Sequence, residues 1–189
     1  MPSHFIFESS VASVSPSEDL VLAVDGSHKD RTHSSAYITD SGLFGVNAVN
    51  FDPDLCRPQC ALSTELRAAL YGLRRVGDQK VTLLSDNEST IDWINRWKEG
   101  DDELPAWYSL YRSRGKASLL ELRDLVTARE TELTIVKVKA HSGDLLNEAA
   151  DSLARIGTNV IKGVYEKKGA DQRAHDLAQA FLRAYEVAS

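Results

Sequence analysis

The stretch Leu20-Val21-Leu22-Ala23-Val24-Asp25-Gly26-Ser27 carries the main signal for the fold. Its first five residues are all apolar, which is typical of a strand buried on both faces of a sheet. We expect the chain to turn at Asp25-Gly26-Ser27. Two further strand-like runs follow at Ser35–Thr39 and Leu43–Phe51, with Asp40-Ser41-Gly42 as the turn between them. Together, the three runs predict an antiparallel meander.

Helical and strand patterns alternate after this meander. Apolar residues at i, i+3, i+4 and i+7 predict an amphipathic helix from Ser63, as N-cap, to about Val76, with Gly77 as its stop. The remaining elements are a strand at Val81–Leu84, a helix carrying Ile91, Trp93, Ile94 and Trp97, a helix from Ser118 to about Arg129 opened by a Ser118–Glu121 capping box, a strand at Glu132–Lys139, and a helix at Leu145–Ile156 closed by Gly157. This order predicts an α/β fold with a five-stranded mixed sheet, three antiparallel strands plus two parallel, and helices on both faces.

The chain divides into three predicted parts. Residues 1–18 are rich in serine and lack a clear period, so we expect a loosely ordered leader. Residues 19–157 form the predicted main domain, and 158–189 a C-terminal helical extension. In that extension the helix-like Ala170–Ala188 places Leu177, Ala180, Phe181 and Tyr185 on one side, which we expect to pack on the core.

Composition restricts the class of protein without deciding its function. The 189 residues are 42% hydrophobic, enough for a core, and the amino terminus has no basic stretch followed by a long apolar run. We therefore expect no signal peptide, no membrane association, and a cytoplasmic location, or a nuclear one in a eukaryotic host. The net charge of −6 lacks the basic excess of most nucleic-acid binders. An acidic protein can still cut a polyanion if its acids hold divalent cations.

The two cysteines, Cys56 and Cys60, are too few for a disulfide scaffold. A zinc site would need further ligands, which His28 and His33 could supply. Neither pair has a familiar zinc-finger arrangement, so two free thiols in a loop are the preferred interpretation.

Four acids occur where such a fold would bring them together. Asp25 and Asp86 end or follow apolar strands, Glu65 lies in the first turn of the first long helix, and Asp151 lies on the helix after the final strand. Singly, each could cap a turn or a helix or interact with a helix dipole. Converging carboxylates repel one another unless a cation lies among them, and Mg²⁺ suits phosphate substrates. Two such ions about 3.5–4 Å apart can hydrolyse a phosphodiester.

Four motifs, in this order, resemble those of the type 1 ribonuclease H family. They are Val24-Asp25-Gly26-Ser27, Ser63-Thr64-Glu65-Leu66-Arg67-Ala68-Ala69, Leu84-Ser85-Asp86-Asn87, and Val138-Lys139-Ala140-His141-Ser142-Gly143-Asp144 continuing through Asn147-Glu148-Ala149-Ala150-Asp151. The last is the most specific, because a histidine in a glycine-containing loop precedes Asn-Glu and an aspartate ten residues after it. The resemblance covers about residues 19–157.

The resemblance implies a ribonuclease H-like fold and an endonuclease that cuts the RNA strand of RNA–DNA hybrids, leaving 5′-phosphate and 3′-hydroxyl ends. It implies that Asp25, Glu65, Asp86 and Asp151 hold two Mg²⁺ ions, with Mn²⁺ as a substitute, and that His141 assists proton transfer or product release. The implied substrate-binding residues are Gly26 and Ser27 at the RNA backbone, Asn87 and Glu88 near the ribose 2′-hydroxyls, and Asn147.

The chain departs from the family pattern at its predicted substrate surface. His28–His33 stands where a glycine-rich turn is common, and Ala61 and Leu62 stand where many members carry asparagines. Glu88 adds a negative charge, and the stretch from Trp93 to Ala117 has five basic and four acidic residues. Trp93 and Trp97 resemble the family's helix tryptophans, although core packing explains them equally well. We expect weak, salt-sensitive hybrid binding or help from an accessory protein. No feature predicts an oligomeric state.

Other members of this broad fold fit less well. A 3′–5′ exonuclease carries Asp-x-Glu on its first strand, where this chain has Asp25-Gly26-Ser27, and a histidine about five residues before its last aspartate. A transposase or integrase more often ends its triad with glutamate. Two alternatives stay open, a catalytically silent ribonuclease H-like module that binds nucleic acid or acts as a scaffold, and the ribonuclease H domain of a reverse transcriptase.

Overall fold

A mixed six-stranded sheet runs through the part of the chain described by this computed structural model, residues 4–9, 19–50, 60–106, 118–129, 132–140 and 142–188. The strands are β1 His4–Glu8, β2 Leu20–Lys29, β3 Thr32–Thr39, β4 Phe44–Asn50, β5 Val81–Ser85 and β6 Leu133–Lys137. The helices are α1 Cys60–Val76, α2 Glu88–Lys98, α3 Ser118–Thr127, α4 Leu145–Ile161 and α5 Lys167–Ala188. None of the helices in these ranges is long and apolar enough to cross a membrane.

The strand order β1-β4-β3-β2-β5-β6 confirms the predicted architecture. β2, β3 and β4 form the antiparallel meander. β5 pairs with β2 in parallel, and β6 pairs with β5 in parallel. The predicted count of five strands is wrong by one, because β1 pairs with β4 from His4↔Val49 to Glu8↔Gly45. Sequence analysis assigned these residues to a loosely ordered leader. Only Phe5-Ile6-Phe7 among them favours a strand, too short a run to be read without its partner. Residues 10–18 of the predicted leader lie outside the described ranges.

The first two strands of the meander form a longer hairpin than predicted. The expected turn at Asp25-Gly26-Ser27 is wrong, since β2 continues to Lys29, which pairs with Thr32 of β3. The chain turns at Asp30 and Arg31, and Asp30 has a φ of 57°. The polar end of β2 looks like a loop in isolation, but its backbone groups are paired by β3. As a result, Asp25 lies inside a strand.

Helices cover both faces of the sheet, as predicted. On one face, Leu22 and Val24 of β2 contact a core that includes α1, α2 and α3. On the other, Ala23 belongs to a core that includes α4 and α5. This division follows from the alternation of side chains along a strand. In α5 the buried positions are Ala170, Ala174, Ala178 and Phe181, whereas Ala180, expected on the buried side, is exposed.

Two helix boundaries differ from the prediction in ways that matter for the site. Helix α1 begins at Cys60, so Ser63 is not its N-cap and Glu65 lies beyond its first turn. Helix α4 continues through Gly157 to Ile161. A Cβ atom at Gly157 would lie 2.2 Å from Ser34 Oγ and 2.8 Å from Val46 Cγ1. The glycine therefore allows close packing of α4 on the sheet and does not end the helix.

Candidate active site

Three carboxylates converge where β2, α1 and the end of β5 meet. Asp25, Glu65 and Asp86 each offer an oxygen, and these oxygens all lie within 4.8 Å of one another. The parallel register explains part of this, because Ala23 pairs with Leu84 and the two aspartates follow two residues later on their respective chains. Residues from three separate parts of the sequence thus form one acidic group. Three of the four predicted metal-binding acids are members of it.

Helix α1 reaches this group because Gly26 lets it touch β2. A Cβ atom at Gly26 would lie 2.5 Å from Thr64 Oγ1 and 2.6 Å from the backbone nitrogen of Glu65. Ser35 Oγ also donates a hydrogen bond of 2.8 Å to the carbonyl oxygen of Thr64. The absence of a side chain in glycine at position 26 therefore allows Glu65 to lie beside Asp25. The sequence motif alone did not reveal this packing role of Gly26.

Within the acidic group, Asp25 and Glu65 are buried and Asp86 is partly buried, so the three carboxylates repel one another with little screening by water. Burial, with Asp151 and Asp86 nearby, raises the pKa of Asp25 to about 7. Burial, with Asp25 and Asp86 nearby, also raises the pKa of Glu65 well above its usual range, although a hydrogen bond from the Gly26 backbone opposes both shifts. Glu65 Oε2 is buried and has no hydrogen-bond partner among the described residues. A hard divalent cation with oxygen ligands fits this set of donors, because it would relieve both the repulsion and the unpaired oxygen.

Asp151, the fourth predicted acid, lies near this group but is bound by another residue. Arg155, one helical turn later on α4, donates hydrogen bonds to both of its carboxylate oxygens, with Nη2 to Oδ2 at 2.7 Å and Nε to the two oxygens at 3.1 and 3.2 Å. Arg155 is not among the predicted site residues, although its i, i+4 spacing from Asp151 favours such an ion pair.

A cleft of about 270 Å³ opens at the acidic group. Asn147, predicted as a substrate-binding residue, is buried in its wall and donates a 3.3 Å hydrogen bond from Nδ2 to Asp86 Oδ2. Glu148 accepts a hydrogen bond from the backbone of Gly143 and so ties the preceding loop to α4. Sequence analysis did not select the cleft residues His28 and Glu148 for the site, although Glu148 is part of its last motif. The lining residues are Asp25, Gly26, Ser27, His28, Asp86, Asn147, Glu148 and Asp151.

Two predicted substrate-binding residues lie outside that lining and have structural partners. Asn87 is the N-cap of α2, and its Oδ1 accepts a 2.9 Å hydrogen bond from the backbone of Thr90. Glu88 is exposed and forms a 2.8 Å ion pair with Lys137 of β6, which lowers the pKa of Glu88. The charge that Glu88 adds near the predicted substrate surface is therefore paired with a cation.

Other predicted features are distributed as follows. Ser27 accepts a 3.0 Å hydrogen bond from Thr158 Oγ1. His141, with Cys56 and the side chain of Cys60, lies outside the described residues. The rings of His28 and His33, considered as zinc ligands, are 4.9 Å apart and edge to face. Within the described ranges, the candidate metal-binding group contains acids alone.

The two helix tryptophans have different environments. Trp97 is fully buried, and its Nε1 donates a 2.8 Å hydrogen bond to the carbonyl oxygen of Glu103, so it belongs to the core. Trp93 is partly buried, and the guanidinium carbon of Arg96 lies 4.3 Å from its ring centroid. Arg96 also pairs with Asp101 and Glu103, so its own charge is offset by two carboxylates.

The chain is similar to known ribonucleases H. A family model described as RNase H matches residues 17–159, which include the acidic group and Asp151. A ribonuclease H of Hyphomonas neptunium is 34% identical over 104 residues, 53% of this chain and 65% of the relative. Another, of Anaeromyxobacter dehalogenans, is 31% identical over 125 residues, 62% of this chain and 63% of the relative. The chain thus spans just under two thirds of the length of these relatives.

Proposed function

The chain belongs to the ribonuclease H family, and from this membership we propose that it is a metal-dependent endonuclease that hydrolyses the RNA strand of RNA–DNA hybrids. The observation that supports this most directly is the group of Asp25, Glu65 and the partly buried Asp86, whose oxygens lie within 4.8 Å of one another. Inside it, Glu65 Oε2 has no hydrogen-bond partner among the described residues, which is costly unless a ligand binds there.

The proposed cofactor is a pair of Mg²⁺ ions, for which Mn²⁺ can substitute. Asp25, Glu65 and Asp86 would hold them, and Asp151 would contribute from α4. When bound, such ions supply an activated water and stabilise the leaving oxygen, which gives 5′-phosphate and 3′-hydroxyl products.

The protein side chains have separate tasks in this proposal. The Nδ2 group of Asn147 orients Asp86 through their 3.3 Å hydrogen bond. Gly26 and Ser27, in the cleft wall, would face the RNA backbone. Asn87 and Glu88 would lie near the 2′-hydroxyl that distinguishes RNA from DNA, and His141 would move a proton or assist product release. Because acids dominate the cleft, a polyanionic substrate is expected to bind weakly without divalent cations.

Several wider assignments belong to the same proposal. Residues 19–157 would form the catalytic domain and 158–189 a helical extension of it. Hybrid binding by this chain would be weak and sensitive to salt, or an accessory protein would add to it, and the expected location is the cytoplasm, or the nucleus of a eukaryotic host.

The proposal is tested with a labelled RNA–DNA hybrid and Mg²⁺, alongside single-stranded RNA, double-stranded RNA and duplex DNA. We expect internal cuts confined to the RNA of the hybrid and abolished in Asp86→Asn. Asp92→Asn is the matched control, because Asp92 is exposed on α2. This substitution removes the same charge outside the acidic group. If the folded protein binds the hybrid but does not cleave it with Mg²⁺ and does not cleave it with Mn²⁺, the proposed enzymatic function is wrong. That result would favour the catalytically silent binding module.

A further inference from the structure

We propose that Arg155 is a positioning residue that holds Asp151 apart from the other three carboxylates until a second divalent cation displaces it. In the cation-free protein, the guanidinium neutralises Asp151, a task that the second ion would take over when metal is bound. This inference rests on the proposed function, because it assigns an order to the binding of the two ions.

The contacts of Asp151 provide the first argument. Both of its carboxylate oxygens accept hydrogen bonds from Arg155, the shortest at 2.7 Å. An arginine fork of this kind fixes the plane of a carboxylate as well as neutralising it. Asp25, Glu65 and Asp86 already form a close group without Asp151. The first three acids can therefore receive one cation while Asp151 stays bound to Arg155.

The packing of α4 provides the second argument, because the helix is fixed on both sides of Asp151. Before it, Asn147 is hydrogen-bonded to Asp86, and after it, Thr158 is hydrogen-bonded to Ser27 of β2. Gly157 packs so closely on β3 and β4 that even a Cβ atom would collide with Ser34. Asp151 can thus move between Arg155 and a cation by rotating its side chain, without a shift of the helix.

The charges around Asp25 provide the third argument. Asp151 and Asp86 both raise the pKa of Asp25, in addition to its burial, and the Arg155 guanidinium lowers it. Arg155 is itself 61% exposed, whereas Asp151 is 25% exposed, so the guanidinium can leave towards solvent when an ion arrives. A divalent ion provides two charges where the guanidinium provides one, and it can contact several carboxylates at once.

The expected consequence is a selective effect on the second ion. An ion pair between residues i and i+4 of a helix corresponds to about a twofold change in an equilibrium constant. Arg155→Gln should therefore tighten binding of the second cation by about twofold and leave the first nearly unchanged. Arg155→Lys keeps the charge but loses the fork, and should lie between Arg155→Gln and the unmodified protein.

The experiment is a titration of each protein with Mn²⁺, in which calorimetry measures the affinity and electron paramagnetic resonance measures the concentration of free Mn²⁺. Arg183→Gln is the matched control, since Arg183 is an exposed residue of α5 that does not line the cleft. In an Asp151→Asn background, Arg155→Gln should have no further effect on Mn²⁺ affinity. Circular dichroism checks that each variant is folded.

The outcomes separate this inference from the proposed function. If the unmodified protein binds two Mn²⁺ ions and Arg155→Gln binds the second no more tightly than Arg183→Gln does, Arg155 has no such role while the metal site stands. An equal change in the Asp151→Asn background would also overturn it, since Arg155 would then not act through Asp151. If the unmodified protein binds no Mn²⁺, the metal requirement of the proposed function fails together with the inference.

Discussion

Replacing Gly157 by alanine gives the most direct test of how α4 is packed. The added Cβ atom would lie 2.2 Å from Ser34 Oγ, 2.8 Å from Val46 Cγ1 and 3.1 Å from Ala48 Cβ. Ser34 can rotate, but Val46 and Ala48 are almost completely buried on β4, so the helix must move away from the sheet. Overpacking of this kind costs about 1–3 kcal/mol. The better helix propensity of alanine returns up to about 1 kcal/mol.

The net effect is the cost of overpacking minus the gain in helix propensity. We therefore expect Gly157→Ala to lower the free energy of unfolding by about 1–2 kcal/mol. For a chain of this size, that corresponds to a fall in Tm of about 2–8 °C. Gly169→Ala is the matched control, because Gly169 is also helical but a Cβ atom there meets nothing within 4 Å. It should leave Tm unchanged or raise it.

Thermal and urea unfolding of the cation-free variants, followed by circular dichroism, would measure both changes. Hybrid cleavage by Gly157→Ala should also fall, since a displaced α4 carries Asn147 and Asp151 away from the cleft. A Gly157→Ala protein that melts at or above the unmodified protein would refute this account of the helix–sheet contact.

Three further predictions follow from the charges and the core. The stability of the cation-free protein should fall as pH rises from about 4 to about 7, because folded Asp25 keeps a proton that the unfolded chain has lost, and Asp25→Asn should flatten this slope in urea titrations at several pH values. Glu88→Gln frees Lys137 and should tighten hybrid binding in low salt, whereas Lys137→Gln should weaken it; equal binding by both variants would show that this ion pair lies away from the substrate. Trp97→Ala should cost about 3–5 kcal/mol in unfolding experiments, and replacing the partly buried Trp93 by alanine should cost clearly less; similar losses at the two positions would contradict their assigned burial.

The order of strands and helices was predictable because the hydrophobic pattern is strong in every central element. The buried run at the start of β2 and the i, i+3, i+4 pattern of α1 identify core elements before any partner is known. Three of the four acids also converge as expected, because Asp86 follows β5 and the parallel register of β2 and β5 places it level with Asp25. The position of Asp25 within β2 was missed, because Asp-Gly-Ser is typical of a turn unless another strand pairs with it.

The missed features depend on contacts between distant residues. Gly157 has the sequence context of a helix stop, and only its contact with Ser34 and Val46 explains why the helix continues. The ladder between β1 and β4 joins residues about forty positions apart, which no local pattern records. Asn87 was assigned to the substrate because of its motif, whereas its side chain caps α2.

The composite origin of the acidic group also bears on how the protein folds. Asp25, Glu65 and Asp86 are far apart in the unfolded chain, where water separates their charges. Their repulsion develops only when β5 joins β2 and α1 packs against Gly26, so it opposes the steps of folding that bring these elements together. If the group forms after the rate-limiting barrier, a divalent cation will slow unfolding and leave the refolding rate nearly unchanged. The lifetime of the native state, more than the speed of its formation, would then depend on the cation concentration around the protein.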